Sequence, residues 1–175
     1  ATLVSRDRES ALLERLYTTP MTAADFIGGY ALPLLPMALA QCILTYLTAI
    51  LLGLPVSVQL VWAVLLTMPG ALFFIALGLL CGSVLSVKQV GGVCGALLTN
   101  LTAWLSGAWF DLDLVGGAFR TAANLLPFSH AVGLGRAAVA GEAGALLPHL
   151  GWVLGYAAVT AVLAVVLFLS QMRRR

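Results

Sequence analysis

Residues 58–85 read VQLVWAVLLTMPGALFFIALGLLCGSVL, and this stretch decides the fold. It contains no Asp, Glu, Lys or Arg. It exceeds the roughly 20 apolar residues that carry a helix across the hydrocarbon core of a bilayer. At that depth the backbone finds no water, so it must satisfy its own hydrogen bonds as a helix.

Working outward, three further stretches have the same character: 26–52, 90–110 and 150–170. None carries an ionisable acid or base in its core. Across all 175 residues, 61% are hydrophobic and 9% charged, whereas soluble domains are about a quarter charged. A soluble domain of this size leaves too much surface in water to hide that apolar content. The expected fold is an all-α integral membrane protein with four transmembrane helices.

The connections differ in kind. Gly53-Leu54-Pro55 reads as a tight turn, and residues 86–89 as a short polar one. Segment 111–149 is long and carries Asp111, Asp113, Arg120, Arg136 and Glu142. Its apolar pieces, 118–126 and 128–140, are too short to cross and suit re-entrant or interfacial helices. Basic residues give the orientation. Arg6, Arg8 and Arg15 precede the first span, Lys88 lies between the second and third, and Arg173, Arg174 and Arg175 follow the fourth. With four crossings these share one side, leaving Arg120 and Arg136 on the other. The positive-inside rule makes both ends cytoplasmic and turns 111–149 outward. Residues 1–22 then form a cytoplasmic loop and 23–175 a transmembrane domain.

Within the spans, Pro33, Pro36 and Pro69 are expected to bend their helices. Gly78 with Gly82, Gly91 with Gly95, and Gly151 with Gly155 have the spacing that lets membrane helices approach closely. Gln41 and Asn100 are expected to hydrogen-bond across helices. His149 is expected to cap the start of the fourth span, and some of the four tryptophans to anchor at the interface. Cys42, Cys81 and Cys94 read as packing residues, with no metal or redox spacing. His130 has no second His, Cys or carboxylate at metal spacing and reads as a hydrogen-bonding cap or interfacial anchor. No basic stripe interleaved with aromatics supports nucleic-acid binding.

The chain opens differently, with RDRESALLERLYTTPMT at residues 6–22. Read as a helix over 8–17, it gathers Leu12, Leu13, Leu16 and Tyr17 in one sector. Asp7, Arg8, Glu14 and Arg15 fall opposite. Glu9 breaks the apolar sector near the helix start, where the electropositive N-terminus tolerates it. Thr18-Thr19-Pro20 ends the helix. Thr22 with Asp25 three residues on resembles a capping box that opens the first span. The segment reads as an interfacial helix on the cytoplasmic side, either resting on lipid or docking a cytosolic partner.

These residues resemble the cytoplasmic segment of ABC type-2 exporter permeases, a run of the form RERExGTLExLxxTP. Glu9, Leu13, Glu14, Leu16, Thr19 and Pro20 match it; Ala11 replaces the usual glycine, and the Gly-Lys that often follows is here Gly28-Gly29-Tyr30. Downstream, Pro127-Phe128-Ser129-His130 followed by Arg136 resembles the signature before the family's last span. The family usually has six spans, and this chain corresponds to the loop plus the last four, so further spans are expected upstream of Ala1. The resemblance implies the membrane half of an ATP-driven exporter in the plasma membrane. Such a permease works as a dimer with a second copy or a paralogue, bound to cytosolic ABC ATPase subunits that hold ATP and Mg. Arg8, Glu9, Leu13, Glu14, Arg15, Leu16, Thr19 and Pro20 would form the ATPase-docking coupling helix. Pro127, Phe128, His130 and Arg136 would cap the exit path.

Two features agree with that mechanism. The spans hold no acidic or basic side chain of the kind an ion-coupled transporter uses. The chain also has no GxxxxGK[ST] phosphate loop, so the expectation is a non-enzymatic subunit with ATP hydrolysed elsewhere and no cofactor of its own. A polytopic membrane enzyme would place acid–base groups at membrane depth, and none stand there. A non-transporting assembly or sensor protein that docks a cytosolic partner is the alternative.

Overall fold

The structure is a computed structural model that describes residues 1–10 and 23–172. Among the described residues every regular element is helical. In chain order these are α1 (Thr2–Glu9), α2 (Ala23–Leu51) and α3 (Gln59–Val84). There follow α4 (Val87–Val90), the π-helix π1 (Gly91–Leu98) and α5 (Thr99–Leu105). The last four are α6 (Leu112–Val115), α7 (Gly117–Leu125), α8 (Pro127–Ala140) and α9 (Ala143–Met172).

Among the described residues three helices are long and apolar enough to cross a membrane: Ile27–Leu51, Gln59–Val84 and Ala143–Ser170. They run through Pro33, Pro36, Pro69 and Pro148 without leaving the helical conformation. Between the second and third of these, residues 87–105 are helical throughout, but π1 widens the middle. Its sequence, GGVCGALL, has three glycines and few side chains to enforce α packing. The Thr99 hydroxyl donates to the Cys94 carbonyl five residues back, at 3.0 Å.

Helix α3 is the hub. It packs against α9, α8, α2 and α1, and two apolar clusters line it. Toward its carboxyl end Leu79 meets Val4, Ala164 and Phe168, flanked by Ile27, Tyr30 and Ala31. Near its middle, Phe73 meets Phe128, Val153 and Ala157. Leu134, Ala137 and Ala138 of α8 are buried, and Gly70 of α3 lies against Ala131. Much of the remaining apolar surface points outward, as in Leu32, Met37, Leu44 and Val61. In a bilayer such side chains meet lipid, and helix association rests on close packing and polar contacts instead.

Several boundaries differ from those read in the sequence. The third stretch ends at Leu105 rather than near 110, because Gly107 turns the chain with φ +68°. The last helix starts at Ala143 rather than near 150. Gly141 closes α8 in the left-handed region, where the Glu142 amide bonds back to the Ala137 carbonyl at 3.0 Å. His149 therefore lies inside α9 and does not cap it. Helices α7 and α8 begin one residue earlier than the apolar pieces 118–126 and 128–140. Gly53 at φ +107° makes the turn after α2. Ser86 and Gln89 form a reciprocal capping box at the start of α4. The Asn100 amide donates to the Ala96 carbonyl of its own helical run at 2.7 Å, not across to a neighbour.

Candidate functional site

The polar groups collect at the two ends of the bundle. At the first end, α1 lies across the turn that joins α3 to α4. Gly82 makes the approach feasible. A Cβ there would fall 2.6 Å from the Ala1 carbonyl oxygen and 2.8 Å from the Val4 Cβ, while one on Gly78 would lie 3.6 Å from the Ala1 nitrogen.

The charges of α1 then meet opposite helix ends. The Arg8 guanidinium donates to the carbonyl oxygens of Ser83 at 2.5 Å and Leu85 at 2.7 Å. These belong to the last turn of α3 and its cap, where unpaired carbonyls make the helix end electronegative. The neighbouring Glu9 carboxylate accepts from the Val87 amide at 3.3 Å, at the electropositive start of α4. Adjacent residues of opposite sign thus bridge the end of one helix and the beginning of the next. Asp7 accepts a hydrogen bond from the Tyr30 hydroxyl of α2. Three side chains tie α1 to α2, α3 and α4.

This revises the reading of the opening segment. The helix occupies Thr2–Glu9, and at Ser10 the backbone is extended, with φ −99° and ψ 160°. The sequence reading began the helix at Arg8. Ser10 caps the carboxyl end, its hydroxyl donating to the Asp7 carbonyl at 2.8 Å. Leu13, Glu14, Arg15, Leu16, Thr19 and Pro20 lie outside the described residues, as do the Thr22 cap and Arg173–Arg175.

At the opposite end, α7, α8 and α9 assemble the second cluster. Pro127 opens α8 as its first residue and is buried. Phe128 stacks on Phe74 with centroids 6.1 Å apart and meets Phe73 edge-on at 6.0 Å. His130 has a partner that the sequence reading did not foresee: its Nδ1 lies 2.9 Å from Nδ1 of His149. Its ring lies flat on Trp152, at 4.9 Å and 3°. Trp152 in turn stacks on Tyr156 at 5.9 Å, whose hydroxyl donates to the Leu125 carbonyl at 2.7 Å. Gly133 admits the His149 ring, which would stand 2.8 Å from an added Cβ. The Arg136 guanidinium donates to the Gly107 carbonyl at 2.9 Å and so holds the turn after α5 against α8. The exposed pair Arg120–Asp113, at 2.8 Å, joins α7 to α6.

Pro127, Phe128 and His130 are thus brought to one aromatic layer, while Arg136 serves the adjoining turn. The glycine pairs separate clearly. Gly78 and Gly82 receive α1. Gly91, Gly95, Gly151 and Gly155 have no atom within 4 Å of an added Cβ. Gly151 and Gly155 instead floor an open apolar groove along α9, beside Trp152 and Tyr156. The spacing His149, Trp152, Tyr156 was a visible signal, since such positions share one helix face. That His130 would meet this face was not.

No group of three or more metal-ligating side chains occurs among the described residues. Comparison with curated proteins and with solved structures returns no match. A family model described as ABC-2 type transporter matches residues 1–139, which takes in both the α1 clamp and nearly all of α8. The chain belongs to the ABC-2 type transporter membrane family, whose members are the permease domains of transporters.

Proposed function

We propose that this chain is the export permease of an ATP-driven transporter, and that α1 passes the motion of a cytosolic ATPase to the membrane helices. The family match over residues 1–139 carries this reading. The contacts of α1 support it. A force on α1 reaches the end of α3 through Arg8, the start of α4 through Glu9 and α2 through Asp7.

In this reading the helical run 87–105 is the third of four crossings, at about 28 Å long for 1.5 Å per residue. Both ends of the chain and the Lys88 turn are cytoplasmic, as the distribution of Lys and Arg favours. Helices α6–α8 stand at the outer end, where the His130–Trp152 layer and Arg136 close the exit. The membrane is the plasma membrane, and a second permease copy or paralogue completes the path. ATP and Mg belong to the ATPase, which meets the α1 region and the segment after it.

The test is purification of the full chain with its membrane partners in mild detergent. The expected result is a co-purifying Walker-type ATPase whose turnover changes in Glu9→Lys while the helical content of the permease is kept. Absence of any such ATPase from repeated native preparations would refute the proposal.

A further inference from the structure

We propose that His130 and His149 form a proton-operated latch between α8 and α9, closed with one proton between the two Nδ1 atoms and opened when the pair gains a proton that fills both. The argument is one of proton counting. His130 Nε2 lies 2.9 Å from the Asn124 carbonyl oxygen. A carbonyl only accepts, so Nε2 carries a hydrogen. A neutral His130 then has a bare Nδ1. The facing Nδ1 of His149, 2.9 Å away, must donate to it. The two tautomers are therefore opposite: Nε2–H on His130 and Nδ1–H on His149.

Protonation proceeds in two distinguishable steps. A first added proton can go to His149 Nε2, which leaves the Nδ1–H···Nδ1 bond intact and charge-assisted. A second has only His130 Nδ1 to occupy. Two N–H groups would then face each other between two cations, and the rings must part. His149 has little room to turn, because its ring edge sits against Gly133. His130 is held flat between Trp152 and the Asn124 carbonyl. Separation therefore moves α8 relative to α9.

The surrounding charges leave this arithmetic to the two rings. Asp111, Asp113, Arg120 and Arg136 line the same polar cavity of about 200 Å³. Asp113 pairs with Arg120, Asp111 accepts from the Asp113 amide and Arg136 bonds to Gly107. Tyr156, further along α9, is turned to the Leu125 carbonyl. The latch joins helices within one chain and does not depend on the exporter reading.

The chain has two histidines, so nitrogen NMR of the full chain, labelled with ¹⁵N-histidine in lipid nanodiscs, reports this pair alone. At neutral pH one ring should show the Nδ1–H tautomer and the other Nε2–H. On acidification the Nδ1–H···Nδ1 contact should persist until both rings are doubly protonated and then be lost. In His149→Ala the Nδ1 resonance of the remaining ring should lose the displacement that its hydrogen bond confers. Two Nε2–H tautomers at neutral pH would overturn the latch. So would a contact that survives double protonation of both rings, or an unchanged His130 Nδ1 resonance in the variant. Should His149→Ala not fold, the tautomers and the loss of the contact on acidification of the parent protein decide the matter alone.

Discussion

Gly82 and Val4 are packed so closely that a Cβ on the glycine would stand 2.8 Å from the valine Cβ. Helix α1 is seated on α3 at this point. Real Cβ atoms do not approach so near, and the Ala1 carbonyl on the other side is backbone that cannot swing away. Gly82→Ala should therefore displace α1, at about 1–3 kcal/mol. Gly78→Ala, with its nearest atom at 3.6 Å, should be tolerated. Limited proteolysis near residue 10 reads the difference: faster cleavage in Gly82→Ala, with the parent rate in Gly78→Ala.

Arg8 should be irreplaceable by an uncharged residue. Its removal leaves the Ser83 and Leu85 carbonyls without their donors, a loss of about 1–3 kcal/mol for charge-assisted bonds. Arg8→Lys keeps the charge at the end of α3 but not the two-pronged geometry. Thermal unfolding in detergent should rank the parent first, then Arg8→Lys, then Arg8→Ala. Equal melting temperatures for all three would disprove the clamp.

Tyr30→Phe removes the hydroxyl that donates to Asp7 and keeps the ring that packs beside Leu79 and Phe168. The expected cost is about 1 kcal/mol. The loss should be confined to α1, visible as faster amide hydrogen exchange in Thr2–Glu9 with unchanged exchange in α8.

Two glycines in the second half of the chain should behave oppositely. Gly133→Ala pushes on the His149 ring at 2.8 Å and should destabilise the α8–α9 contact by about 1–3 kcal/mol. Gly155→Ala meets open space and should change the stability of a single chain by less than about 0.5 kcal/mol. Melting curves of the two variants under one detergent condition test this directly.

Phe128→Ala should be the most damaging of these changes. The ring is buried against Phe73 and Phe74, and truncation of such a residue costs about 3–5 kcal/mol. A melting temperature close to that of the parent would show that the aromatic layer does not hold α8 to α3.

Much of the scaffold was legible because it depends on local composition. Three uninterrupted apolar runs became three long helices, and Gly53 and Ser86 marked the turns between elements. The pieces at 118–126 and 128–140 appeared as α7 and α8. Errors came where one backbone conformation overrode composition. Gly107 and Gly141 adopt left-handed angles, so the third helical run stops early and the last begins early. An apolar count does not register either event.

The candidate sites were legible as residues and not as relationships. The sequence by itself determined that this chain is a bundle of apolar helices, because hydrophobic runs act over a few turns of chain. Tertiary structure alone decided which groups the charges and rings meet. Arg8 reaches carbonyls 75 and 77 residues away, and His130 meets His149 across 19 residues and a helix reversal. Those pairings depend on the angles at which α1 crosses α3 and α8 meets α9. Close packing at Gly82 and Gly133 sets the angles, and that packing exists only once the helices have come together.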